Sequence, residues 1–178
     1  MRIASLSAVA VMAVLTGSIS ESVSQIPPSA SGTASSASSW LTQIITIAEE
    51  ERSGRAISVS PQKHRPYRYE VRFAGADHQD VTIVEIDVKK NRAISTRKPG
   101  LLEKLLGYGK SDVRLALLSK LTLAEAIRSA EQKIPGRAFK AAFRNQNGHA
   151  AYEIDVAHDG HEERITVDAT SGRIDSST

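Results

Sequence analysis

Apolar residues recur along this chain in two rhythms, the 3.6-residue period of a helix and the two-residue period of a half-buried strand. Trp40, Leu41, Ile44, Ile45, Ile47 and Ala48 share one helical face, while Gln43, Glu49, Glu50 and Arg52 fill the other. The spacing predicts a helix from about Ser39 to Arg52, ended by Ser53-Gly54. Strands follow at Ala56 to Ser60, Tyr67 to Phe73, Val81 to Val88 and Ala93 to Ser95, with turns at Pro61 to Pro66, Gly75 to Gln79 and Lys89 to Asn91. In the second of these, Tyr67, Tyr69, Val71 and Phe73 fall on one face.

The same succession returns after Leu121. Thr122 and Glu125 have the spacing of a capping box, and Leu123, Ala126, Ile127 and Ala130 form the stripe of a second helix, with Glu131 and Lys133 outside. Ile134-Pro135-Gly136 stops it, because proline cannot continue a helix and glycine suits a left-handed cap. Ala138 to Arg144 reads as a strand, and Asn147-Gly148 and Asp159-Gly160 are hairpin-turn dipeptides. A two-residue turn at Asp159-Gly160 fixes the register beyond it: Asp155 opposite Arg164, Ile154 opposite Ile165, Tyr152 opposite Val167. Tyr152, Ile154, Ile165 and Val167 would then face the helix, and Glu153, Asp155, Arg164 and Thr166 would face water.

The halves correspond at intervals of about 80 to 83 residues, the signature of an internal repeat. Leu41-Thr42 answers Leu121-Thr122, Gly54-Arg55-Ala56 answers Gly136-Arg137-Ala138, Tyr69-Glu70-Val71 answers Tyr152-Glu153-Ile154, and Ile86-Asp87 answers Val167-Asp168. The expected fold class is α+β: two repeats, each one helix packed on one face of a 3-4 stranded antiparallel sheet. The first copy, over 40–96, is the more diverged, and the second spans 121–178.

Between them, 97–120 is set apart by Pro99-Gly100 and Gly107-Tyr108-Gly109 around a short stripe of Leu101, Leu102, Leu105 and Leu106, with a second apolar cluster from Val113 to Leu118. It carries Arg97, Lys98, Lys104, Lys110, Arg114 and Lys120 against Glu103 and Asp112. The plain reading is a solvated linker with a packing stripe; the alternative is a surface for anionic lipid or an acidic partner.

The N-terminus implies export. Met1-Arg2 precedes an apolar run from Ile3 to Leu15 and then small polar residues, the pattern of a secretory signal peptide over 1–20. The run is short for a membrane span, which needs about 20 apolar residues. Cleavage near Ser20 is favoured over Ser24, and an uncleaved N-terminal anchor is the alternative. From Glu21 to Ser39 the chain is Ser-rich with Pro27-Pro28 and nearly devoid of apolar side chains, so a disordered tether is expected.

Composition narrows the chemistry. The 178 residues contain no cysteine, which removes disulfides, thiolate catalysis and Cys-based metal sites, and one Trp, four Tyr and three Phe leave the core to aliphatic side chains. No nucleophile elbow, phosphate-cradling loop or dinucleotide fingerprint is present. His161-Glu162-Glu163-Arg164-Ile165 begins like a zinc-protease motif but places Ile165 where the second histidine belongs, on a strand. No enzyme and no cofactor is expected. Scattered cations without a stacking platform beyond Tyr67 and Tyr69 argue against nucleic acid.

Leu123-Ala124-Glu125-Ala126-Ile127, Ala130, Pro135-Gly136, Tyr152-Glu153-Ile154-Asp155-Val156 and Val167-Asp168-Ala169-Thr170-Ser171-Gly172-Arg173-Ile174 together resemble the PepSY domain of bacterial secreted proteins. The resemblance covers Leu121 to Asp175 well and Trp40 to Ser95 more weakly. It implies a helix on an antiparallel sheet and a non-catalytic extracytoplasmic module. Such modules occur in propeptides of thermolysin-like metallopeptidases, with inhibition or regulation of a peptidase as the proposed role. It brings no catalytic residues. The partner expected is therefore a peptidase or another envelope protein, met by a sheet edge or the open sheet face, with Glu153, Asp155 and Arg164 as binding candidates. The competing reading is a module for a small ligand or metal cation at the turn tip, using His158, His161 and Glu162 beside Asp159.

Overall fold

The computed structural model describes residues 39–75 and 80–177, so the expected signal peptide and nearly all of the expected tether lie outside the described residues. Helix α1 (Trp40–Glu51) opens the fold. Four strands follow it: β1 (Arg55–Pro61), β2 (Arg68–Ala74), β3 (Val81–Asp87) and β4 (Arg92–Arg97). Two short helices, α2 (Leu101–Leu106) and α3 (Lys110–Leu118), lead to α4 (Leu123–Lys133). The chain closes with β5 (Arg137–Gln146), β6 (His149–His158), β7 (His161–Asp168) and β8 (Ile174–Ser177).

The strands do not form one small sheet per half. They make a single eight-stranded antiparallel sheet in the order β4-β3-β2-β1-β5-β6-β7-β8, joined at its middle where Ser58 pairs with Ala142 and Val59 with Ala141. Each half walks outward from this seam as a meander, which short turns permit because neighbouring strands run in opposite directions. Both long helices lie on one face and touch each other, α1 over β1 to β5 and α4 over β1 and β5 to β7. Their stripes enter one shared core: Leu41, Ile44 and Ile45 from α1, Leu123 and Ile127 from α4, and Val59, Val71, Val84, Phe143, Tyr152, Ile154 and Ile165 from the sheet.

Local chemistry accounts for the element ends. Thr122 Oγ1 accepts from the Glu125 amide at 3.2 Å while the Glu125 carboxylate accepts from the Thr122 amide at 2.8 Å, the reciprocal box that starts α4. Thr42, its counterpart by sequence, does not cap: it is buried in the first turn of α1 and donates to the Ser39 carbonyl at 2.6 Å. Gly136 does not take the expected left-handed conformation, since the helix ends in extended backbone at Ile134. Its small size is needed for a different reason. A Cβ there would sit 2.6 Å from Val156 Cγ1 and 2.7 Å from the Ala157 carbonyl oxygen. At both hairpin tips the turn residues have positive φ, Asn147 54° and Gly148 89°, then Asp159 47° and Gly160 79°. That is the handedness a two-residue hairpin needs to match strand twist. The Asp155–Arg164, Ile154–Ile165 and Tyr152–Val167 pairs all form as the turn dictates.

One expectation changes in the first half. Tyr67 is not in line with Tyr69, Val71 and Phe73: it turns the chain at φ 66°, and the Lys89 ammonium sits 3.9 Å from its ring centroid. Tyr69 instead meets Trp40 edge-on with centroids 6.0 Å apart. In the segment 97–120 the second apolar cluster is the part that packs. α3 packs on β1, β2 and β5 and buries Val113 and Ala116 in the shared core. The Asp168-to-Arg173 stretch is a side-chain-capped turn, in which the Asp168 carboxylate accepts from the Thr170 and Ser171 amides and Gly172 supplies φ 76°. It returns the chain so that β8 can pair with β7.

Candidate binding face

Strand alternation sends every second side chain to the face away from α1 and α4. In the second half these are Lys140 and Arg144 of β5, Glu153 and Asp155 of β6, and Arg164 of β7. The three candidates Glu153, Asp155 and Arg164 are therefore brought together, with Lys140 and Arg144 added from β5, which the Asn147-Gly148 turn sets in register with β6. Arg164 Nε donates to Asp155 Oδ1 at 2.7 Å, Lys140 Nζ lies 3.1 Å from Asp155 Oδ2, and Arg144 Nε donates to Glu153 Oε2 at 2.8 Å. Burial pushes the Asp155 carboxyl up, but hydrogen bonds from Arg164 and Lys140 outweigh it and hold the group below the usual carboxylate range.

Across the seam the lattice continues. Arg97 of β4 grips Glu103 of α2 with both guanidinium nitrogens, at 2.7 and 3.0 Å, and reaches Glu70 at 3.2 Å and Glu85 at 3.7 Å. Arg72 lies 3.8 Å from both Glu70 and Glu103. Arg97 and the Gly100 amide together hold the Glu103 carboxyl at about 2. Opposite charges thus fix α2 to β4 and β2 on this face. Tyr108 follows, its hydroxyl donating to the Ile57 carbonyl at 3.2 Å, and burial pushes that phenol up. Between Tyr108 and the sheet lies a hollow of about 300 Å³, lined by Ser58, Ser60, Arg72, Lys140 and Arg144 among others.

The turn-tip histidines fit a metal poorly. His158 and His161 are opposite each other across the Asp159-Gly160 turn, but Glu162 is paired with Ala157 and alternates to the other face. The His158 Nε2 atom lies 3.2 Å from the Asp159 carboxylate. Among the described residues no group of three or more His, Asp or Glu side chains is placed to hold a metal ion. Among them, too, no helix is long and apolar enough to cross a membrane.

Comparison with known proteins bears on α4 to β8. Residues 120–174 match the family model for PepSY, described as "Peptidase propeptide and YPEB domain". This segment is a PepSY match. It starts one residue before Leu121 and ends as β8 begins, so it comprises the capped helix, the two hairpins and the Asp168 turn. Several residues that carry the PepSY likeness have structural roles here: Glu125 in the cap, Gly136 against β6, Tyr152 in the core, Asp168 and Gly172 in the turn. No curated protein matches the chain. Among solved structures, a candidate lipoprotein from Clostridium difficile 630 is similar at 19% identity and a TM-score of 0.44, covering 78% of this chain and 91% of its own.

Proposed function

We propose that this protein is an exported, non-enzymatic module that binds a peptidase or another envelope protein and restrains it. The observation that carries the reading is the PepSY match over 120–174, a family described by its occurrence in peptidase propeptides. The signal-peptide pattern of the first 20 residues is the support for an extracytoplasmic site of action.

The physical means would be the face formed by Lys140, Arg144, Glu153, Asp155 and Arg164. Its charges are already paired, yet Arg164 and Arg144 are about half exposed. Exposed pairs of this kind are worth only about 0.2–1 kcal/mol each. A partner offering matching charges can exchange them at small cost, so the lattice selects by charge pattern rather than by raw attraction. We also read α1 to β4 as the diverged copy of α4 to β8. What supports a duplication is the shared order of a helix followed by four antiparallel strands, together with the spaced sequence correspondences.

Capture of partners from an envelope extract on the immobilised full chain is the test. Recovery of a peptidase that loses activity when the chain is added is expected, as is loss of capture with Glu153→Ala, Asp155→Ala and Arg164→Ala combined. Recovery of no envelope protein would overturn the reading, and capture unaffected by the triple variant would overturn the assigned face.

A further inference from the structure

The described residues leave four large apolar side chains exposed, and three of them, Leu101, Leu102 and Leu118, belong to the basic segment between β4 and α4. Leu101 and Leu102 sit side by side on α2, 78% and 72% exposed. Their direction follows from Glu103. That carboxylate is drawn onto the sheet by Arg97 and Arg72, so it marks the inner side of the helix. At about 100° per residue, Leu101 is carried to nearly the opposite side of the helix, and Leu102 and Lys104 to its two flanks. The clamp on Glu103 therefore presents two leucines outward.

Cations lie on the same short stretch of chain. Lys98, Lys104 and Lys110 border one hollow of about 380 Å³ beside α2, with Asp80, the ion-pair partner of Lys98, on its wall. Lys104 and Lys110 are exposed and make no ion pair among the described residues. Two leucines alone would hold a membrane surface only marginally, and basic side chains near them in the chain supply the second attraction that peripheral binding requires.

We propose that α2 is a docking element for an anionic phospholipid bilayer, with Leu101 and Leu102 entering the interface and Lys98, Lys104 and Lys110 meeting lipid phosphates. This goes beyond the peptidase reading and stands whether or not that reading fails.

Because the chain has no cysteine, a single one can be labelled at will. Full-length protein with Leu102→Cys carries a polarity-sensitive nitrobenzoxadiazole group; a second preparation carries it at Lys63→Cys, in the β1–β2 loop. Vesicles of phosphatidylcholine are compared with vesicles that also contain phosphatidylglycerol. The label at 102 is expected to shift to the blue and brighten only with the anionic vesicles, while the label at 63 stays unchanged. Roughly 1 M salt, where screening reaches about 3 Å, should abolish the shift. Lys104→Glu with Lys110→Glu should weaken partitioning by at least about tenfold. An unshifted label at 102, even if the chain sediments with vesicles through its N-terminal apolar run, overturns the proposal. So does an equal response to neutral vesicles, or a label already in apolar surroundings without lipid, which would mean that residues 1–38 or a second copy cover the leucines.

Discussion

Arg55 and Tyr152 share one acceptor, the carbonyl oxygen of Leu121. The Tyr152 hydroxyl donates at 2.9 Å and the Arg55 guanidinium approaches from β1, so the chain entering α4 is held from both halves of the sheet. Tyr152→Phe removes one of two donors and should cost about 1 kcal/mol in urea unfolding. Arg55→Ala with Tyr152→Phe leaves that carbonyl without either donor, and its loss should exceed the sum of the single changes. A strictly additive double-mutant cycle would refute the shared-acceptor account.

Glu103 gives the protein a pH-dependent clamp. Its carboxyl titrates at about 2 when folded, against an ordinary 4.5, so its contribution is full above about 4.5 and is lost as pH falls toward 2. The side chain is one-third exposed, which limits the gain to about 1 kcal/mol or less. Thermal unfolding of wild type and Glu103→Gln between these pH values should converge at the acid end and separate at the neutral end. Parallel curves would rule the clamp out.

One substitution, glycine to alanine, should act by two mechanisms. At Gly160 a Cβ meets no atom within 4 Å, and only the positive φ of 79° opposes it, about 1 kcal/mol. At Gly136 φ imposes nothing, but the Cβ collides with Val156 and the Ala157 carbonyl, and overpacking of this kind costs about 1–3 kcal/mol. Gly136→Ala should also shift amide resonances along β6, whereas Gly160→Ala should perturb the turn alone.

Val113→Ala tests whether α3 belongs to the core. Val113 is 1% exposed, and removing two methyl groups from it should cost about 1.5–3 kcal/mol. A loss within error of zero would return the segment to the status of a linker.

What could be read from sequence followed the range of the signal. Asp159-Gly160 fixes the β6–β7 register because a two-residue turn leaves no freedom, and Thr122 with Glu125 marks the start of α4 within a few residues of chain. The β1–β5 seam has no such local mark: nothing in Ser58 or Ala142 announces the other. Val113 and Ala116 are too few and too surrounded by charge to stand out as core, since their burial comes from strands distant in sequence. The face shows the same division. Hairpin arithmetic at Asp159-Gly160 and at Asn147-Gly148 makes Arg164 and Lys140 the two neighbours of Asp155, whereas Arg97 collects Glu70, Glu85 and Glu103 from three separate elements.

The seam also sets an order in time. When β1 through β4 have been synthesised, the inner edge of β1 has no strand to receive it, because β5 begins only at Arg137. Throughout that interval the nascent chain bears an unfinished border open to any passing strand. A chain kept unfolded until its last residues are made would never expose that border, so delayed folding and the central position of β1 suit one another.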